Sequence, residues 1–537
     1  MMKQLFTIVI LAGLMLSADL LQAQRLFEVP NTPSDPADLY AIIMGDTING
    51  GRVDENTIYQ LENGGVYIIS NRIVNAGWPL QIHAKDLENT ALKPYVTRVP
   101  TSAGAWRDVA RLEGDLSFKN LWVVFGETGP GQNHDWGRLR TIADGIRLEF
   151  IDCVLEKDRG GIPQVRSNNN KLFYENCIIR SLGNRAVWQG NGRATDAREF
   201  QIDSLVVKNC VIHNLQDRVF RSLGASGKHN YIEYDHNTVF NQFGRHGMFS
   251  FGYGANTIKV TNNIFADPIM FGTTPFTADE QTQTDNTKHF VFTIDANKDT
   301  IKTNFTFDNN NMFWTPEVLA YYSSNDSVSR VDLYSEAILS KIGGQAVADT
   351  TYFTEVLEFN SVPTHALQYV KDAYADPAST EMWDYIVEPS NRAGVEGWPQ
   401  ENLFDFSTLD MGYDIESASY TAATDGGAIG ARFGNFGLPP APLTTKQALV
   451  ETFLVYPNPT AEIATFRYHL TKNDNMAITI TDINGKEISV VDSGYRSAGS
   501  YEIKVEMGKY ISDFGVYFVQ FKSSDKSQVM RLVYLNR

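Results

Sequence analysis

The chain has 537 residues, 43% hydrophobic and 12% aromatic, with a formal net charge of −17 and only 3 cysteines. Its length exceeds what one ordinary hydrophobic core organises, which leaves either several domains or a solenoid. The acidic balance argues against general binding to nucleic acid or anionic membranes, and so few cysteines argue against a disulfide framework.

Residues 1–23 place a basic residue, Lys3, before an apolar run from Leu5 to Leu16 and small residues near Ala23. This is the pattern of a signal peptide, too short to span a membrane comfortably, and without a cysteine at the junction for a lipid anchor. No later stretch is apolar enough for a transmembrane segment.

From there a short phrase recurs: DLSFKNLWVVF from Asp115, IRLEFIDCVLEK from Ile146, NKLFYENCIIRS from Asn170 and DSLVVKNCVIHN from Asp203. NYIEYDHNTVFN from Asn230, NTIKVTNNIFAD from Asn256 and NFTFDNNNMFW from Asn304 continue it. Stacked, the pairs Leu148/Phe150, Leu172/Tyr174, Leu205/Val207, Ile232/Tyr234 and Ile258/Val260 alternate with polar neighbours, as half-buried strands do. The next column reads Cys153, Cys177, Cys210, Asn237, Asn263, Asn310, at spacings of 24, 33, 27, 26 and 47 residues. Such spacings fit one turn of a β-solenoid, with the thiols and amides forming an interior ladder at a bend. The cysteines then read as reduced packing residues, since no metal-ligand spacing accompanies them.

This texture resembles the pectin-lyase-like superfamily of right-handed parallel β-helices, over about residues 50 to 435. TDGGAIGARFGNFG from Thr424 resembles the closing segment of its bacterial members, and SNRAGVEGWP from Ser390 the turn preceding it. Pro268 to Thr300 and Ser323 to Asp376 break the phrase and read as loops or a small helical excursion. Within them SEAILSKIGG from Ser335 has helical spacing and a glycine stop. The expected fold is all-β: a parallel β-helix over 24–436, a Pro-rich linker over 437–451 and a small C-terminal β-sandwich over 452–537.

In that last segment the pattern changes to short strands and hairpins, with Asn484-Gly485 as a strong turn. Tyr456-Pro457-Asn458-Pro459, the turn at Asp482-Ile483-Asn484-Gly485 and Gly515-Val516-Tyr517 closely resemble the C-terminal sorting domain of Bacteroidetes type IX secretion. The resemblance implies a secreted or surface-attached protein that engages the type IX machinery. A monomer is expected.

No GxSxG elbow, HExxH helix or phosphate-binding glycine loop occurs, so chemistry must be sought in columns. Between Lys157 and Arg245 there are 13 Lys or Arg against 8 Asp or Glu, a basic stretch in an acidic chain. Arg185, Arg218 and Arg245 each fall 8 residues after a ladder position, and Arg159 falls 6 after Cys153. Equal offsets imply stacking, and stacked guanidinium groups suit a ligand with repeating carboxylates. The competing reading is local pairing with Asp158 and Asp217, and both stand. Lys208, Arg218, Arg245 and His246 are the candidates for a base and for charge neutralisation. Members of the resembled superfamily often use Lys or Arg as base, but a guanidinium pKa above about 12 makes His246 or Lys208 easier to activate. Arg159, Arg185, Arg221 and Trp188 are the candidate binding residues, Trp188 by stacking on a sugar ring. His236 stands where Asn176, Asn209 and Asn262 stand and reads as a turn residue. Calcium is common among the lyases, and Glu233 with Asp235 offers oxygen ligands, two carboxylates being too few to define a site. The resulting expectation is a secreted lyase acting on an acidic polysaccharide by β-elimination. The rival is a non-catalytic glycan-binding or adhesive surface solenoid.

Overall fold

The computed structural model describes residues 24–31, 36–90, 92–98, 108–126, 138–183, 191–223, 227–244, 246–273, 290–295, 302–325, 330–362, 366–375, 409–432, 454–456, 460, 462–470, 472–482, 486–497, 499–524 and 527–534. The chain divides into two compact units, Met1–Ala441 and Pro442–Arg537.

The first unit is a parallel β-helix. One sheet stacks ten strands, from Leu26–Glu28 to Asn304–Asp308, and a second stacks eleven, from Ala37–Asp38 to Tyr352–Phe353. The third face begins with Ile73–Val74, Asp108–Leu112 and Arg138–Thr141. Bridges from Arg140 to Gln164 and from Gln164 to Asp196 carry it on to Thr195–Asp196, Phe220–Ser222, Phe249–Phe251, Phe290–Thr293 and Asp332–Tyr334. A representative circuit runs along Ile202–Lys208 in the first sheet, Val211–Leu215 in the second and Phe220–Ser222 in the third. The apolar columns hold register without a slip, Leu148 facing Leu172, then Leu205, Ile232 and Ile258. A one-residue slip would turn every one of these side chains to solvent, so the alternation itself pins the register.

The bend from the first to the second sheet uses a single left-handed residue. Asn120, Asp152, Asn176, Asn209, His236, Asn262 and Asn309 all have φ between 49 and 60°, a region that Asn, Asp and His enter more readily than other side chains. His236 is therefore a turn residue. The following residue points inward, and the expected ladder is present. Asn237 Nδ2 donates to Asn263 Oδ1 at 2.9 Å and Asn263 Nδ2 to Asn310 Oδ1 at 2.9 Å. The same oxygens accept the backbone N–H groups of Asn237 and Asn263, so each amide satisfies a buried donor of its neighbour. Cys153, Cys177 and Cys210 continue the column as free, buried thiols. Burial pushes the Cys153 and Cys177 thiols well up.

The second sheet is buried on both faces. Residues 409–432 lie along its outer side, where Met411, Ile429 and Ala431 pack with Val211 and Ile264. Backbone and side-chain bonds fix this segment: Gly430 N–H to Asn262 O at 2.8 Å, and Ala431 N–H to Thr238 Oγ1 at 3.0 Å. Residues 424–432 of the closing segment thus lie along the solenoid wall; its remainder and the turn from Ser390 lie outside the described residues. Double-sided burial is why these strands do not show the alternation of apolar and polar residues seen in the first sheet.

The stretches that break the repeat return to it. Phe290–Thr293 and Asp332–Tyr334 extend the third sheet, and Tyr352–Phe353 extends the second. Between and after them come helices Pro316–Ser323, Glu336–Ile342, Gln345–Ala348 and Ala366–Ala375. Ser335 caps the Glu336–Ile342 helix and Gly343, at φ 108°, ends it, as its sequence implies. A helix that the repeat does not announce, Leu39–Gly45, is capped by Asp38 and buries Leu39 and Ile43.

The second unit is an antiparallel sandwich. Leu454–Tyr456, Ile463–Leu470 and Gly499–Glu506 form one sheet; Glu487–Arg496, Asp474–Thr481, Gly515–Ser523 and Ser527–Tyr534 form the other. Phe466 and Tyr468 from the first meet Ile478, Ile480, Val519 and Leu532 from the second. The hairpin between Asp474–Thr481 and Glu487–Arg496 forms as the Asn484-Gly485 dipeptide implies, closed by Asp482 N–H to Lys486 O at 2.9 Å. Residues 483–485 and 457–459 themselves lie outside the described residues. Among the described residues no helix is long and apolar enough to cross a membrane.

Candidate functional site

Outward positions on the third sheet form one line. Arg111, Arg140, Gln164, Asp196, Arg221, Ser250 and Thr293 pair in that order along the stack. Between them Leu139, Phe220, Phe249 and Phe292 point into the core. Ions placed outward on a sheet are normally solvated. Here several are buried, and they converge where the bends from the second sheet deliver further charges.

The centre is Asp217, which is fully buried. It lies in the bend 216–219 between Val211–Leu215 and Phe220–Ser222. Its Oδ1 accepts from Nδ1 of His246 at 3.0 Å, and its Oδ2 meets Arg193 Nε at 2.8 Å. Burial opposes the charge on Asp217, but Arg193, His246 and Arg218 outweigh it and hold the carboxyl below the usual range. Arg218 Nε donates to the His246 carbonyl at 2.9 Å, tying one rung to the next. Asp196 lies 3.8 Å from Arg193 and 3.7 Å from Arg221. Burial and the nearby Arg193 lower the pKa of Arg221. Gly192, at φ 89°, permits the approach of Arg193, because a Cβ there would collide with the Leu182 carbonyl.

The sequence candidates are thus partly gathered. Arg218, His246 and Arg221 converge around Asp217 and Asp196. Arg159 borders them, its carbonyl accepting from Gly192 N–H at 2.9 Å. Lys208 does not join them: it stands on the outer face of the first sheet, 3.2 Å from Glu233. Arg185, Trp188 and Arg245 lie outside the described residues.

The offsets that suggest an arginine stack do not carry over to the third sheet, while Arg185 and Arg245 themselves lie outside the described residues. The bends joining the second sheet to the third span 183–194, 216–219 and 243–248 in successive rungs. Because their lengths differ, counting from the ladder loses register before the third sheet: Phe220, 10 residues after Cys210, pairs with Phe249, 12 residues after Asn237, and Arg221 faces Ser250 and Asp196. The pairing of Asp217 extends beyond Arg218, whose charge lowers the Asp217 pKa, to ion pairs with Arg193 and His246.

Glu233 and Asp235 are committed to protein donors. Lys259, Lys208 and Tyr231 surround Glu233, and His236, Thr261 and Asn262 surround Asp235. Among the described residues no group of three His, Cys, Asp or Glu side chains is arranged to hold a metal.

Sequence reasoning missed Arg193, whose one local cue is the glycine before it. It also missed a buried ion pair on the second sheet, where Arg180 Nε meets Glu156 Oε2 at 2.6 Å with both side chains 0% exposed. Burial resists ionisation of Glu156, yet Arg180 and Lys157 keep its pKa low. One rung on, His213 stacks on Phe240 at 4.6 Å, and burial with the charge of Arg180 keeps its pKa well down.

The first unit is thus an all-β parallel solenoid carrying a His–Asp pair among arginines. Residues 454–535 match the family described as a secretion system C-terminal sorting domain. No curated protein matches the chain. The protein is exported through the type IX secretion system and is extracellular or attached to the cell surface.

Proposed function

We propose that the solenoid is a lyase that cleaves an acidic, uronate-containing polysaccharide by β-elimination. The observation that carries this reading is the buried Asp217 carboxylate on His246 Nδ1, with Arg193 and Arg218 beside it. A carboxylate on Nδ1–H fixes the tautomer that leaves Nε2 with its lone pair, and raises the basicity of that nitrogen. Such a nitrogen can take the C5 proton of a uronate. Guanidinium groups of Arg218 and Arg221 suit the substrate carboxylate, whose charge must be offset as the C5 carbanion develops. The C5 electron pair becomes a C4–C5 double bond conjugated with the carboxylate, while the C4–O bond breaks and its oxygen leaves with that bond's pair and takes a proton from water. Export to the cell exterior supports a polymeric substrate.

The test is ultraviolet absorbance on incubation with pectate, alginate and glycosaminoglycans, with and without calcium. A rise that His246→Ala abolishes is the expected result. Binding of these polymers without any rise would make the protein a glycan-binding solenoid instead.

A further inference from the structure

A second cluster of arginines stands on the same outward line of the third sheet. Asp108, 1% exposed, lies 3.0 Å from Arg111, 3.3 Å from Arg140, 3.4 Å from Arg138 and 3.7 Å from Arg72. Four guanidinium groups thus share one carboxylate, with Asp158 also acting on Arg138, so positive charge outweighs negative among these residues. The side chains of Arg72, Arg111 and Arg140 keep 27, 39 and 24% of their surface in solvent. Burial and the neighbouring guanidinium groups lower the pKa of Arg140, a sign that like charges are crowded. Arg72 Nε, Arg140 Nε and Asp108 Oδ1 are buried and make no hydrogen bond among the described residues. Unmet buried donors beside surplus positive charge define a place for an anion with several acceptor oxygens.

Its position sets the ligand's shape. Arg140 is three rungs from Arg221 along the pairing order through Gln164 and Asp196, which at the spacing of stacked strands is about 14 Å. Resting on the reading of Asp217 and His246 as the reactive centre, we infer that Arg72, Arg111, Arg138 and Arg140 form a distal subsite. It takes a second carboxylate or sulfate of the same polyanionic chain, laid along the solenoid axis. The ligand is then an extended polymer with repeating anionic groups, and affinity grows when the chain spans both clusters.

The full-length secreted protein is titrated with long-chain polygalacturonate, with galacturonate disaccharide, which is too short to reach both clusters, and with dextran sulfate. The wild type binds the long chain more tightly than the disaccharide, and added salt weakens the long-chain complex more steeply. Arg111→Ala shrinks the long-to-short affinity ratio about tenfold, the worth of one charge-assisted contact. Lys171→Ala, exposed on the first sheet, leaves the ratio unchanged. Arg111→Lys keeps the charge without the fork and gives an intermediate ratio; it also carries the test if the alanine variant does not fold. Tighter binding of polygalacturonate or of dextran sulfate identifies carboxylate or sulfate as the preferred group. A wild type that binds polyanions while Arg111→Ala and Arg111→Lys keep its ratio overturns the subsite and leaves the reactive centre standing. A wild type that binds no polyanion overturns both.

Discussion

Two outer faces of the same solenoid carry charge in opposite ways. On the first sheet Lys208 and Lys259 stand 43 and 37% exposed on either side of Glu233, an ion-pair ladder in contact with water. On the third, Asp217 is buried beneath Arg193 and His246, and Asp196 lies between Arg193 and Arg221. The first set and the Asp196–Arg221 pair follow the outward positions of period-two strands, whereas Arg193, Asp217 and His246 come from the bends. The difference teaches that alternation decides which residues leave the core, whereas the bends that fold over a face decide whether those residues meet water. Charges withdrawn from water interact strongly and are held in fixed geometry, which is what chemistry needs.

The sharpest way to break this contrast is to remove the imidazole. His246→Ala is expected to lower turnover of a susceptible polyuronate by about 10²- to 10⁴-fold, followed by initial rates at saturating substrate well below the variant's melting temperature, which falls because buried Asp217 loses a partner. Turnover within a factor of two of wild type would remove the third face from the chemistry.

A buried ion pair without access to water measures what burial alone costs. Arg180→Ala leaves Glu156 charged and enclosed, and is expected to cost about 3 to 5 kcal/mol of stability by denaturant unfolding. A loss near that of a surface pair would mean that water reaches the site.

Asp267 sharpens the contrast from the other direction, being a buried carboxyl with no basic partner among the described residues. Its oxygens accept from Thr315 N–H at 2.7 Å and Thr315 Oγ1 at 2.9 Å, and burial pushes its pKa up to about 6 from an ordinary 3.8. Between about pH 4 and 6 the folded protein retains a proton that the unfolded chain has released, so this group's contribution to stability is full at low pH and is lost as pH rises through that window. The loss is on the order of 2 to 3 kcal/mol. Asp267→Asn should abolish it, which paired unfolding curves at pH 4 and pH 7 would reveal as a smaller pH difference in the variant; identical differences would place the proton elsewhere.

The smallest effect belongs to the wet face. Lys208→Ala should cost less than about 1 kcal/mol, as exposed pairs do, and leave turnover unchanged. A large fall in turnover would return the first sheet to the site.

The sequence by itself determined the solenoid, because its evidence is local and repeated. The Asn, Asp or His before each ladder residue adopts the left-handed bend, and the alternation around Leu172, Leu205 and Ile232 admits one register. The same holds for the sandwich, whose alternating strands and Asn484-Gly485 hairpin are short-range signals. Only the tertiary structure decided which charges meet. The partners Arg193, Asp217 and His246 come from three rungs joined by bends of unequal length, so no constant spacing relates them. Lys208 and His246, 38 positions apart in the chain, go to different faces for the same reason: strand periodicity places a side chain inward or outward, but the lengths of the bends assign it its neighbours.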